Sequence, residues 1–258
     1  LQVDIISDKM VLSMERWCGK IAVVTGASAG CGAAIAEVLV KEGLQVVGLA
    51  RRKERIDELA QKLTGAKGKL YAIKADMTVE NDIIEAFRWI KDNLGPVSVL
   101  INNAGLSQPN TLIGGNTEMW KRVLDTNVLG LTIATREAIE HMNANEIDGH
   151  VIHINSILGH YVAQVPKLNM YSASKFAVTA LTETLRQELV ALGSKIRITS
   201  VSPGPVDTEF ATASNLYENK DYEKLYKAMP KLKGEDVADA VVYVLSTPPH
   251  VQVWSLLN

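Results

Sequence analysis

The chain has 258 residues, 47% of them hydrophobic, with 27 basic and 29 acidic side chains and a formal charge of −2. That is length enough for one large domain or two small ones around a sizeable core, and it excludes a disordered chain and argues against a dedicated nucleic-acid binder. No apolar stretch reaches the roughly 18 residues of a membrane span, and two cysteines, Cys18 and Cys31, are too few for a disulfide framework, which points to a reducing, cytoplasmic setting.

Residues 1–13 lack the basic-then-apolar layout of a secretory signal. They are set outside the fold, which is expected to occupy 14–258 as a single domain. Residues 20–25 read as a buried strand closed by Gly26, and 33–42 as a helix ended by Gly43. A strand is expected at 44–50, a charged helix at 52–63, a strand at 70–75 and a helix at 80–93 stopped by Gly95-Pro96. The pattern continues with a strand at 97–101, a long helix at 118–143, a strand at 149–155, a long helix at 170–192 and a strand at 195–201. Helices at 217–229 and 234–245 and a last strand at 251–254 complete it. Strands apolar throughout are covered on both faces, and strands separated by helices form right-handed crossovers. The expected architecture is α/β, one doubly wound parallel sheet flanked by helices.

The turn Thr25-Gly26-Ala27-Ser28-Ala29-Gly30-Cys31-Gly32 lies between the first strand and first helix. Glycines there let the backbone approach a pyrophosphate, and the helix N-terminus supplies free N–H groups. A tight structural turn is the blander reading. An acidic residue at the end of the second strand would bond the adenosine ribose of NAD and repel a phosphate. This chain has Ala50-Arg51-Arg52-Lys53 instead, with Arg51 25 residues beyond Gly26. Guanidinium groups grip phosphate through paired N–H donors, so NADP(H) is the expected cofactor; a solvated basic helix start is the alternative. Asp76, with Met77 after it, ends the third strand, where the carboxylate can bond the adenine amino group, cap the next helix, or both.

Tyr171-Ser172-Ala173-Ser174-Lys175 opens a long helix. Positions i and i+4 share a helix face, so Tyr171 and Lys175 can point into one site. A phenol has an ordinary pKa of about 10; a nearby ammonium favours the phenolate, and a phenol so tuned can exchange a proton with an alcohol. Ser156 closes the preceding strand at the sheet's C-terminal edge, where its hydroxyl can donate to a substrate oxygen. Taken singly, each of these is more often surface decoration or a turn residue.

Together, the 25–32 turn, Asn102-Asn103-Ala104-Gly105, Asn127, Ser156, Tyr171-x-x-x-Lys175 and Pro203-Gly204 resemble the short-chain dehydrogenase/reductases over about residues 17–249. The resemblance implies a Rossmann-like fold and a set of roles. Tyr171 is the acid/base, Lys175 bonds the nicotinamide ribose and lowers the tyrosine's pKa, and Ser156 holds the substrate oxygen. Asn127 anchors a water in a proton relay. Gly26, Ser28, Gly30, Cys31, Gly32, Arg51, Arg52, Asp76, Met77, Asn103, Ala104, Gly105, Pro203, Gly204, Val206 and Thr208 hold the cofactor, and 207–233 folds over the substrate as a lid. The segments 14–17, 103–106, 124–129 and 171–189 are similar to a narrower group, the insect NADP-dependent farnesol dehydrogenases and vertebrate reductases of keto-steroids and other carbonyls.

Ser156 and Tyr171 stand 15 positions apart, about two more than is usual in the family. The loop between them is expected to give the substrate an apolar lining from Val162, Val165, Pro166 and Leu168, with Leu158 and Phe210 beside it. The reading is an NADP(H)-dependent oxidoreductase acting on a hydrophobic alcohol or carbonyl, farnesol-type oxidation first. A keto-steroid or carbonyl reductase is the alternative, and a non-catalytic NADP(H) sensor the alternative of another class. The resemblance also implies a homodimer or homotetramer through the two long helices. No metal is expected: His141, His150, His153, His160 and His250 lack ligand spacing and read as surface or packing residues.

Overall fold

The computed structural model describes residues 12–164, 168–218 and 220–257, apart from the side chains of residues 218 and 222. Residues 1–11 of the expected extension, and Val165 and Pro166 of the expected substrate loop, lie outside the described residues. Among those described, seven strands form one parallel sheet: β1 Ile21–Thr25, β2 Gln45–Ala50, β3 Lys69–Lys74, β4 Val97–Asn102, β5 His150–Ile154, β6 Arg197–Ser202 and β7 Ser255–Leu257. Their spatial order is β3-β2-β1-β4-β5-β6-β7, with every pair parallel.

The strands form where apolar residues run without a break. Every residue of β1, β4, β5 and β6 is buried, and alternate side chains enter two separate cores. On one face Ala22, Val24, Val46, Val99 and Ile101 meet Ile35 and Leu39 of α1 (Gly30–Lys41), Ile56 of α2 (Lys53–Lys62) and Val237, Val241 and Val244 of α9 (Gly234–Ser246). On the other, Val23, Val47, Leu49, Leu100 and Val151 meet Ile83, Phe87 and Ile90 of α3 (Glu80–Asn93), Ala134, Ala138 and Met142 of α5 (Leu131–Ala144), and Leu189 of α6 (Asn169–Ala191). β3 departs from the all-apolar expectation: it is the sheet edge, with exposed lysines at both ends, which guards an open edge against pairing. Ser13 N donates to Ser246 O, and Met14 and Trp17 are buried in the first core.

Three elements differ from expectation. The 118–143 helix is α4 (Thr117–Leu124), a π-helical stretch (Asp125–Gly130) and α5. Gly130 abuts the Met77 carbonyl so closely that an added Cβ would lie 2.1 Å from it; one extra residue in the coil leaves a 3.6-residue pattern legible on both sides. The last strand is Ser255–Leu257 rather than 251–254, because side chains take that segment's polar groups. Arg197 Nη1 donates to Val251 O at 2.8 Å, and Thr199 Oγ1 to Val253 O at 2.6 Å. The 217–229 helix is a 3-10 turn (Leu216–Glu218) followed by α8 (Lys220–Ala228).

The strand order turns back beside β1, which has β2 on one side and β4 on the other. Doubly wound sheets bind ligands in the crevice beyond the strand ends at such a point. Beside it lies the 207–233 stretch, whose described residues 207–218 and 220–233 include α7 (Phe210–Ala213). Its neck is closed: Asp207 N donates to Leu232 O at 2.7 Å and Leu232 N to Pro205 O at 2.9 Å.

Candidate active site

The turn after β1 fits a pyrophosphate by its backbone. Gly26 has φ +68°, a region L side chains rarely adopt, and a Cβ there would sit 2.9 Å from Ala104 Cα. A Cβ on Gly32 would lie 2.3 Å from Gly26 O, so α1 packs directly against the turn. α1 begins at Gly30, three residues before its expected start, and its N-cap Ala29 offers no side-chain bond. The first N–H groups of α1 are therefore free for an anion. Thr25 Oγ1 accepts from both Asn103 N and Ala104 N at 3.0 Å, and Asn103 Nδ2 donates to Thr25 O and Gly26 O. Asn103 thus braces the turn as well as facing the crevice.

A cleft of about 760 Å³ runs from this turn across the ends of β1, β2 and β4. Gly26, Ser28, Gly30, Cys31, Arg51, Arg52, Asp76, Met77, Asn103, Ala104, Gly105, Thr208 and Phe210 line it; Gly32 lies behind it, as a packing residue. Burial alone raises a carboxyl, but the Thr78 N–H and hydroxyl, with Arg51 and Arg122, hold Asp76 below its ordinary value. Asp76 does not cap α3, whose N-cap is Val79; it forms a local turn with Thr78 instead. The donor set fits a dinucleotide: glycine backbone and a helix N-terminus at the middle, guanidinium groups at one end.

Among the residues of this cleft that escaped the sequence, two are charged groups near its arginine end. Arg122 reaches it from α4. Glu209 forms an ion pair with Arg55 of α2 (2.8 Å) and with Arg52 just before it (3.3 Å). Nothing in local spacing signals a pair 154 residues apart.

Beside the cleft an apolar cavity of about 230 Å³ holds Ser156, Tyr171 and Lys175. Leu158, Leu168, Phe210, Pro203, Gly204 and Val206 line it, as do Leu216, Tyr226 and Met229 of the lid, which the sequence did not single out. Val162 was expected here and is a correction. It is 74% exposed and does not line the cavity, whereas its neighbours Tyr161 and Ala163 do.

Tyr171 is half-buried and packs against Phe210, ring centroids 5.5 Å apart. Burial pushes its phenol up to about 12, opposed by the hydrogen bond with Ser156. The expected lowering by Lys175 does not prevail, because removal from water dominates. The Lys175 ammonium is 5.7 Å from the ring centroid and donates to Ile154 O at 2.8 Å. Its own pKa is drawn down to about 8 by burial. Ser156 Oγ accepts from Leu158 N at 3.1 Å, which leaves its proton to donate. Asn127 lies in the π-helical stretch: Oδ1 accepts from Leu106 N, while Nδ2 donates to Leu106 O (2.9 Å) and Ser174 Oγ (3.0 Å). Ser174 stands between Tyr171 and Lys175, so this amide pins the helix that carries both.

Burial pushes the Cys31 thiol up to about 11. His150 and His153 are buried and paired with Thr199 and Thr182, and burial draws His153 down to about 3. His160 pairs with Ser202 Oγ at 2.8 Å. No grouping of three or more metal-ligating side chains occurs among the described residues.

A dinucleotide-type turn on a doubly wound sheet, with a serine, a tyrosine and a lysine gathered at the strand ends, defines a class: oxidoreductases built on the Rossmann-like plan. Residues 20–219 match the short chain dehydrogenase family, and the chain belongs to it. It is 48% identical over 245 residues to farnesol dehydrogenase of Aedes aegypti, covering 94% of this chain and 96% of that one. It is 50% identical over 246 residues to dehydrogenase/reductase SDR family member 11 of Bos taurus, covering 93% and 95%. The closed form of serine dehydrogenase complexed with NADP+ has a TM-score of 0.83 at 32% identity, over 92% of this chain and 94% of that one.

Proposed function

We propose that the protein is an NADP(H)-dependent enzyme that interconverts a hydrophobic alcohol and its carbonyl, with oxidation of a farnesol-type isoprenoid alcohol to the aldehyde as its leading reaction. The observation that carries this reading is the junction of the two spaces: Cys31, Asn103, Gly105, Thr208 and Phe210 line both the dinucleotide cleft and the apolar cavity, and Tyr171 lines the cavity. Arg51 and Arg52, with no acidic residue from 44 to 53, support the phosphorylated cofactor. The likeness to a farnesol dehydrogenase and the apolar cavity walls support the substrate.

Bound nicotinamide supplies the redox chemistry, exchanging a hydride with the substrate carbon. Tyr171 exchanges the proton at the substrate oxygen, taking it in oxidation and giving it in reduction. Ser156 donates to that oxygen and holds it against Tyr171. Lys175 places positive charge beside the phenol and bonds the ribose. Asn127 holds the helix of Tyr171 and Lys175 in place, and a water on it is proposed to pass the proton outward. Leu158, Leu168, Phe210 and the lid exclude bulk water and select an apolar substrate. Exposed Leu124, Leu129 and Phe176 on the long helices support association into a homo-oligomer, and free Cys18 and Cys31 support a reducing, cytoplasmic setting.

The test is nicotinamide absorbance during turnover, with NADP+ and NAD+ in parallel against farnesol, related isoprenols and a hydroxysteroid, then NADPH against the matching carbonyls. Farnesol oxidation with NADP+ preferred is the expected result. Steroid or dicarbonyl reduction would keep the mechanism and move the substrate. NADPH binding without any turnover would establish the sensor reading instead.

A further inference from the structure

Large apolar side chains face solvent around the mouth of the apolar cavity. Leu112 is 65% exposed, Ile113 93%, Tyr161 51% and Leu225 37%. Tyr161 and Leu225 line the cavity itself. The loop of Leu112 and Ile113 is stitched to the cavity wall: Asn110 bridges to Leu168, and its carbonyl accepts from Asn169 Nδ2. Single exposed apolar residues are ordinary, whereas a cluster at one opening marks a surface that meets something apolar.

Apart from Asp221 and Glu223 in the first turn of α8, the segments that supply that opening carry no acid. Segments 105–117, 157–182 and 224–233 contain no Asp or Glu, in a chain with 29 acidic residues. The last segment carries Lys224, Lys227, Lys231 and Lys233, all exposed. Glu223, just outside it, is taken up by Lys220 and Lys227. Apolar tips among lysines suit the headgroup region of an anionic membrane.

We infer that the rim of this cavity docks on an anionic lipid bilayer, so that a lipid-dissolved alcohol passes from bilayer to cavity without crossing water. The opening itself favours lipid as the occupant: a protein seated there would stopper the cavity, whereas a bilayer feeds it. The inference rests on the hydrophobic-alcohol reading above.

The test sediments the full chain with vesicles of phosphatidylcholine alone, or with about 30 mol% phosphatidylserine. Turnover is read in parallel on farnesol dissolved in those vesicles and on farnesol carried by cyclodextrin. One lysine near an anionic surface is worth about fivefold in partitioning. The parent is expected to favour the anionic vesicles at least about tenfold, less so at high salt. Lys224→Glu, and separately Leu112→Ser with Ile113→Ser, should each lower that partitioning by on the order of tenfold. Turnover of cyclodextrin-carried farnesol should stay at the parent's rate, which also shows the variants fold. Equal partitioning of parent and variants, or none, overturns the docking. So does loss of self-association in the variants without vesicle binding by the parent, which would assign the patch to a second copy. Salt-dependent vesicle binding with no farnesol turnover in either form would sink the substrate reading and leave the docking standing; turnover without partitioning would do the reverse.

Discussion

Tyr171 and Lys175 hold their protons against opposite pressures. Burial raises the phenol to about 12 and lowers the ammonium to about 8. Positioned proton transfer contributes about 10²- to 10⁴-fold to a rate, so Tyr171→Phe should cut turnover by about 10³-fold. Cofactor affinity should change less than about twofold, since the ring remains; fluorescence titration with NADPH beside the turnover assay checks both. Lys175 carries a stability signature of its own. Its folded pKa lies below the unfolded 10.5, so the unfolded chain binds more protons between about pH 8 and 10.5, and stability rises with pH across that window. Below pH 8 the buried ammonium costs up to about 3 kcal/mol. Lys175→Met should therefore abolish turnover yet leave the ligand-free protein at least as stable at pH 7. That advantage should shrink from pH 8 and vanish above about 10.5, as urea midpoints across this range would read. At this scale the tyrosine–lysine step and the terminal serine were legible, because i,i+4 spacing on a helix is a local property. The direction of the tyrosine's shift was not, because desolvation depends on Phe210 and the lid packed over it.

At the scale of elements, short-range pattern located nearly every helix and strand, since two-sided burial writes unbroken apolar runs and helix faces repeat at fixed intervals. It failed where side chains took over backbone bonding. Arg197, Thr199 and Gln252 occupy the carbonyls of Val251, Val253 and Ile198, which displaces the last strand. The π-helical stretch was equally hidden, though it sets the angle at which Asn127 faces Leu106 and Ser174. The lid's first turn is held to α2 by Glu209 across the mouth of the cleft. Exposed ion pairs are worth under about 1 kcal/mol each, and two share this carboxylate. Glu209→Gln should therefore speed cofactor release by about three- to tenfold, more at low salt, in a stopped-flow displacement experiment. An unchanged release rate would leave the pair as surface decoration.

Over the whole molecule, β1 contributes to both cores and ends in the glycine turn, so the site is attached to a strand buried along its whole length. Cofactor bound between the sheet and lid should stabilise the entire domain. At 100 times the dissociation constant, a ligand specific to the native state adds about 2.7 kcal/mol, which for a domain of this size raises the melting temperature by about 5–10 °C. Thermal melts with NADP+ and NAD+ at equal concentration should show the larger rise with NADP+. Equal rises would remove Arg51 and Arg52 from the choice of cofactor. No helix among the described residues is long and apolar enough to cross a membrane.

The sequence by itself determined the parallel sheet between helices, the glycine turn, the basic end of β2 and the serine, tyrosine and lysine at strand and helix ends. Each of these rests on neighbours within a few residues, or on composition that burial demands. The tertiary structure alone decided which loop residues line the apolar cavity, Tyr161 among them and Val162 not. It also decided that Arg52 shares its charge with Glu209, and that the lid supplies Leu216, Tyr226 and Met229 to the cavity. Those outcomes depend on contacts between segments far apart in the chain, set by how two cores and a pinned lid close together, and no local pattern records them.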